Sequence, residues 1–145
     1  MRAGESVFVE TGAWIALALS ADPLHPRARE TWERLTGDGV ACCTSVPVVL
    51  ETFTFLDRNA RRDVAVAWKD SLKSVRRLKI LPSTAKDLDR AWPYFDRPDL
   101  HKLSAVDAVS FVLMTQQKIR VAFAFDAYFA KAGFSSYALE LKGFG

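Results

Sequence analysis

The chain has 145 residues, half of them apolar and 26% charged, a balance that excludes a disordered or collagenous polypeptide. Cut in two, each part would fall below about 75 residues and lack a core, so one domain over 1–145 is expected. The formal net charge of +3 permits a polyanionic partner without requiring one.

In chain order, short β-type runs alternate with longer helical patterns. Residues 7–10 (Val-Phe-Val-Glu) read as a strand, and 12–20 as a helix that Thr11 could cap. Asp22 and Pro23 start a second helix, with Trp32 and Leu35 among its apolar positions. Gly37, Asp38 and Gly39 make a turn before a second strand at 40–44. Pro47 opens a helix that runs to about residue 58, since proline suits a first turn. The next helix, 62–77, is amphipathic: Val64, Trp68, Leu72 and Val75 form its apolar stripe, and Arg62, Lys69, Lys73 and Arg76 line the other side.

A third strand at 78–81 stops at Pro82; a helix from 83 to about 94 and a loop at 97–103 follow. Residues 104–118 are apolar almost all round, which places that helix in the centre of the molecule. A fourth strand at 121–125, a short helix at 127–132 closed by Gly133, and a last strand at 137–141 complete the chain. This alternation predicts an α/β three-layer sandwich: a central parallel sheet of four to five strands covered by helices on both faces.

Adjacent Cys42 and Cys43 would point to opposite faces of a strand, which suits neither a disulfide nor a metal clip; they read as core residues in a reducing cytosol. The apolar run 11–21 imitates a secretion signal, but Glu5 and Glu10 stand where a basic segment and an apolar one belong. No run reaches the ~20 apolar residues of a membrane span. A cytoplasmic protein without a membrane segment is expected.

In open α/β sheets, ligands bind beyond the carboxyl ends of the strands, at a switch in strand order. The acids of this chain sit there: Glu10 ends the first strand, Asp126 the fourth, Asp107 lies in the first turn of the most buried helix, and Glu51 interrupts an apolar stretch. Buried carboxylates are costly when charged and unpaired, and they repel one another unless a cation sits between them. An all-oxygen set suits Mg²⁺ or Mn²⁺. Singly, each acid has a plainer reading: Asp107 and Ser104 as a capping arrangement, Asp126 as a helix cap, Glu51 on a solvated face with Thr54 and Arg58, Glu10 as a strand end in water. G-x-G-x-x-G after a strand and a P-loop are both absent, which argues against nucleotide-binding folds.

The ordered set resembles the PIN domain found in VapC toxins of bacterial and archaeal toxin–antitoxin pairs. It comprises the apolar strand and helix of 7–15, Asp22-x-x-His25-x-x-Ala28, Glu51 within 45–52, Ser104-x-x-Asp107, and the apolar run into Asp126 followed by Phe129 and Gly133-Phe134. The resemblance covers essentially the whole chain. It departs at one position: the family pattern implies Asp where this chain has Glu10, whose extra methylene would push the carboxylate outward by ~1.5 Å.

The resemblance implies a metal-dependent endoribonuclease, with Glu10, Glu51, Asp107 and Asp126 as catalytic, metal-holding residues for Mg²⁺ or Mn²⁺ and products bearing 5′-phosphate and 3′-hydroxyl ends. Thr11 and Ser104 would orient the acids, or simply cap helices. It also implies an RNA substrate, a small antitoxin that lays a helix on an apolar groove, and a homodimer using the neighbourhood of Trp14 or Trp68. The stripe of Arg62, Lys69, Lys73 and Arg76 either attracts RNA or is a solvated helix face. The competing reading is a PIN-like domain disabled at Glu10 that binds RNA or protein without cutting.

Overall fold

The computed structural model describes residues 5–138. Five strands form one sheet: β1 (Ser6–Val9), β2 (Ala41–Ser45), β3 (Leu78–Leu81), β4 (Val121–Phe123) and β5 (Ser135–Ser136). Their spatial order is β3-β2-β1-β4-β5, and every neighbouring pair is parallel. Parallel neighbours need crossovers, and the crossovers are helical: α1 (Thr11–Ala18), α2 (His25–Gly37), α3 (Val46–Asn59), α4 (Arg62–Ser71), α5 (Ala85–Ala91), α6 (Ala105–Gln116) and α7 (Tyr128–Lys131). The α/β sandwich expected from the alternation is the observed fold.

The central strands read as continuous apolar runs because both faces of the sheet are covered. Val7, Phe8 and Val9 of β1 and Val121, Ala122 and Phe123 of β4 are all buried. Cys42 and Cys43 are buried and unbridged, and burial pushes their thiols up to about 11 and about 12, so they are inert core residues. In α6, the eight consecutive residues 107–114 are buried, in keeping with its nearly uniform apolarity. Phe111 stacks edge-on against both Phe129 and Tyr94, which ties α6 to α7 and to the segment after α5. No helix among the described residues is long and apolar enough to cross a membrane.

Several boundaries differ from the sequence reading. The helix begun at Arg62 ends at Ser71 and tightens into a 3-10 turn at Leu72–Ser74; the one after β3 gives way to another at Trp92–Asp96, where Pro93 removes an amide donor. Strand β4 stops at Phe123 rather than at 125. The last described strand is the pair Ser135–Ser136, not 137–141, and residues 139–141 of that expectation lie outside the described residues. Gly133 adopts φ +106°, a conformation that only glycine enters easily, and so turns the chain from α7 into β5.

The order β3-β2-β1 runs one way from β1, and β4-β5 runs the other. The crevice between the carboxyl ends of β1 and β4 is therefore the switch point of the sheet.

Candidate active site

Glu10 follows β1 and becomes the N-cap of α1, with extended backbone (φ −91°, ψ 172°). Its N–H donates to the Phe123 carbonyl at 3.3 Å, which carries the β1–β4 ladder one step further. The side chain turns back, and Oε1 accepts the Ala13 N–H at 2.7 Å. With 4% of its surface exposed, Glu10 is not a strand end in water. Nor does its extra methylene push the carboxylate outward. The arm folds onto the α1 N-terminus, where unpaired N–H groups and the helix dipole favour an anion. Thr11 is consequently not the cap. It is the first helical residue, and its hydroxyl is buried with no partner.

Ser104 caps α6 by accepting the Asp107 N–H at 3.0 Å, which fixes Asp107 in the first turn with its side chain largely buried. Asp126 lies in the turn between β4 and α7 rather than at a strand end, and its Oδ1 accepts the Tyr128 N–H at 2.9 Å. Glu51 is half-buried on α3, in a shallow cleft lined also by Pro47, Leu50, Thr54, Arg58 and Val106. It faces solvent beside Thr54 and Arg58, and that cleft also reaches Val106, the neighbour of Asp107.

Charge links these acids. Burial, then the charges of Asp107 and Asp126, push the Glu10 carboxyl from 4.5 up to about 8, against the pull of the Gly12 and Ala13 N–H groups. Burial, then Asp126 and Glu51, push Asp107 from 3.8 up to about 7, with the Ser104 side chain opposing. Burial also raises Asp126, against the N–H groups of Tyr128 and Phe129. Among the described residues, no cation is seen to offset Glu10 or Asp107 in this crevice. Raised, mutually coupled carboxyls in a cleft are a frequent mark of a functional site.

Among the described residues, no three His, Cys, Asp or Glu side chains form a closed ligand set. The donors nonetheless suit a hard divalent cation. They are all oxygen, and among the described residues no cation is seen to offset their shared charge. Mg²⁺ commonly binds through only one or two carboxylates and keeps several waters.

The basic stripe stands apart. Arg62 pairs with Asp57 and Lys69 with Asp70, and none of Arg62, Lys69, Lys73 or Arg76 acts on the raised carboxyls. Asp22 is not a helix cap; its Oδ1 accepts the Leu24 N–H at 2.8 Å in a tight turn, and Leu24 precedes α2. His25 Nδ1 lies 2.7 Å from the Ala16 carbonyl, which can only accept, so the proton sits on Nδ1 and the ring latches α2 to α1.

Two positions had no signal in the residue pattern. Thr44 donates to the Val9 carbonyl at 2.9 Å and accepts from Trp14 Nε1 at 3.1 Å, which secures the peptide just before Glu10. Gly12 lies directly under the Glu10 carboxylate.

On the opposite side of α1 is a groove of about 1020 Å³ lined by Trp14, Trp32 and Trp68, with Arg29, Glu33 and Arg76 at its rim. Trp14 packs at 5.5 Å from Trp32 and 5.9 Å from Trp68. Trp14 and Trp68 are themselves buried, and this groove is what their neighbourhood presents to a partner. Exposed large apolar side chains lie elsewhere: Leu50 and Phe55 on α3, and Leu88, Trp92 and Phe95 in and after α5.

The PIN domain family model matches residues 7–135. Over 128 residues the chain is 34% identical to the 23S rRNA-specific endonuclease VapC20 of two Mycobacterium tuberculosis strains, spanning 88% of this chain and 95% of the relative. The crystal structure of M. tuberculosis VapC20, described as a sarcin–ricin loop cleaving toxin, superposes with a TM-score of 0.76 over the same shares of the two chains.

Proposed function

Because the chain belongs to the PIN-domain family and is a ribonuclease of the VapC kind, we propose that it cuts RNA at the crevice between β1 and β4, using Glu10, Glu51, Asp107 and Asp126. The observation that carries this reading is the gathering of buried carboxyls at the switch point of the sheet, raised first by burial and, for Glu10 and Asp107, also by neighbouring acids. VapC nucleases as a family depend on a divalent metal. Here Mg²⁺ or Mn²⁺ would be held by one or two of the carboxylates of Glu10, Asp107 and Asp126, with Glu51 at the solvent side and water completing the shell. When bound, such an ion supplies charge to balance the phosphate and to acidify a water.

The chain's own residues supply the rest. Asp107 and Asp126 bring negative charge close enough together for Asp126 to raise the Asp107 carboxyl. Ser104 and the N–H groups of Tyr128 and Phe129 fix their orientation. Thr11, which follows Glu10 in the chain, has a buried hydroxyl with no partner. With those carboxyls ionised, RNA is repelled; with a cation among them, it is attracted.

The substrate we propose is the sarcin–ricin loop of 23S rRNA, on the strength of the relative's specificity. The partner would be a small antitoxin whose amphipathic helix fills the Trp14–Trp32–Trp68 groove, its acids facing Arg29 and Arg76. A homodimer would use the exposed face bearing Leu50, Phe55, Trp92 and Phe95. One domain in a reducing cytoplasm accommodates all of this, and the two buried free thiols are compatible with it.

Ribosomes incubated with the protein and Mn²⁺ test the proposal. Cleavage within the loop, abolished by EDTA and by Asp107→Asn, is the expected result. RNA bound but left intact with every divalent ion would instead favour a non-cutting domain, a reading for which the capping role of Glu10 is the specific support.

A further inference from the structure

We infer that Gly12 is a positioning residue paired with Glu10: its missing side chain leaves the space through which the longer acid arches back onto α1. A Cβ built on Gly12 would lie 2.7 Å from Glu10 Oε1 and 3.4 Å from both Cδ and Oε2, so the flexible end of the Glu10 side chain, the nearest group it meets among the described residues, would have to move aside. The backbone does not ask for glycine here, because Gly12 does not have positive φ. It occupies the second position of a helix, where glycine is a poorer helix former than alanine. What it permits is the carboxylate itself, which reaches the N–H groups of residues 12 and 13.

Helix caps are normally short, namely Ser, Thr, Asp or Asn, because a short arm brings its oxygen to these N–H groups without crossing residue 12. Glutamate has one methylene too many for that path. Over Gly12 the surplus length folds away, so the carboxylate stays at the helix end and still acts on Asp107 and Asp126. An aspartate would stop short of the space and tolerate a side chain beneath it. Residues 10 and 12 are thus coupled, and the unusual acid is matched to its site rather than misplaced in it.

The coupling is tested with Gly12→Ala, Glu10→Asp and the double variant. The first readout needs no metal and is independent of the proposed nuclease role: the Ala13 amide in a ¹⁵N–¹H spectrum. Gly12→Ala alone should move that resonance well beyond its shift in the Glu10→Asp background, where only the direct effect of the altered neighbouring residue remains. The second readout is Mn²⁺ titration by calorimetry, and it rests on the reading of Glu10 as a metal-holding acid. Gly12→Ala should weaken binding about tenfold alone and less than about twofold on top of Glu10→Asp. If Gly12→Ala alone fails to fold while the double variant folds, the pairing stands. Equal effects in the two backgrounds, no effect in either, or failure of both to fold would overturn it. A coupled amide shift without Mn²⁺ binding would retain the pairing and sink the metal role.

Discussion

One short helix separates two regions of opposite character. The N-terminus of α1 carries Glu10 and Thr11 at the acidic crevice, whereas Trp14 and Leu17 look into the aromatic groove. In the groove, rings stack and Trp14 Nε1 finds the Thr44 hydroxyl, while the buried Trp68 Nε1 has no partner. In the crevice the frustration is one of charge: carboxyls are buried against like charge, and the Thr11 hydroxyl also lacks a partner. The difference teaches where the molecule spends stability. Packing around Trp14 holds the scaffold, and that surplus tolerates a strained set of acids.

The comparison breaks most visibly on the groove side. Trp14→Ala should cost about 3–5 kcal/mol of stability, because it removes a buried indole and the donor that Thr44 accepts from. Urea unfolding measures the loss. Cleavage per folded molecule should change far less than the midpoint does.

Asp107→Asn should do the reverse. Cleavage should fall by more than about 100-fold, exceeding the 10–100-fold typical of an outer-shell partner, while the metal-free protein melts no lower than the parent. A variant that lost both equally would mean that Asp107 serves the fold instead.

A third measurement sharpens the contrast without mutation. Glu10 rises to about 8 and Asp107 to about 7 on folding, so between about pH 4 and pH 8 the folded chain keeps protons that the unfolded chain has released. The stability linked to these groups is complete below pH 4 and declines as pH rises to about 8, then levels off. The metal-free melting temperature should accordingly drop by about 5 °C or more from pH 5 to pH 8. Mn²⁺, which favours the ionised acids, should shrink that drop, and Glu10→Gln should flatten it. A curve that does not fall over this range would contradict the mutual repulsion.

These two regions were unequally legible in the sequence. Apolar periodicity alone gave the strand and helix alternation, and the acids were visible because charge next to β1, β4 and α6 is conspicuous. Terminal positions were not: β4 and β5 are so short that two residues decide their ends, and the 3-10 turns follow from local crowding around Pro93 and Leu72. The capping of α1 was misassigned because threonine is the commoner cap, whereas the observed one needs an acid arm folded over a glycine. Thr44 had no signal either, since its two hydrogen bonds join residues 30 and 35 positions away. That Trp14 and Trp68 would stack against each other likewise had no signal, since they lie on different helices.

The smallest predicted effect probes the boundary between the regions. Thr11 Oγ1 is buried with no partner, a condition that ordinarily costs about 1–3 kcal/mol. Thr11→Val keeps the shape and removes the polar atom. If the hydroxyl belonged to the scaffold, as the Thr44 hydroxyl does, its loss would destabilise the chain. Its isolation argues the opposite: the metal-free melting temperature should hold or rise by a few degrees, while cleavage falls several-fold because the atom is held in reserve for the ion or the phosphate. Differential scanning calorimetry beside a cleavage assay reads both. A lower melting temperature with unchanged cleavage would move Thr11 to the packed side of α1, leaving the crevice to its carboxylates alone.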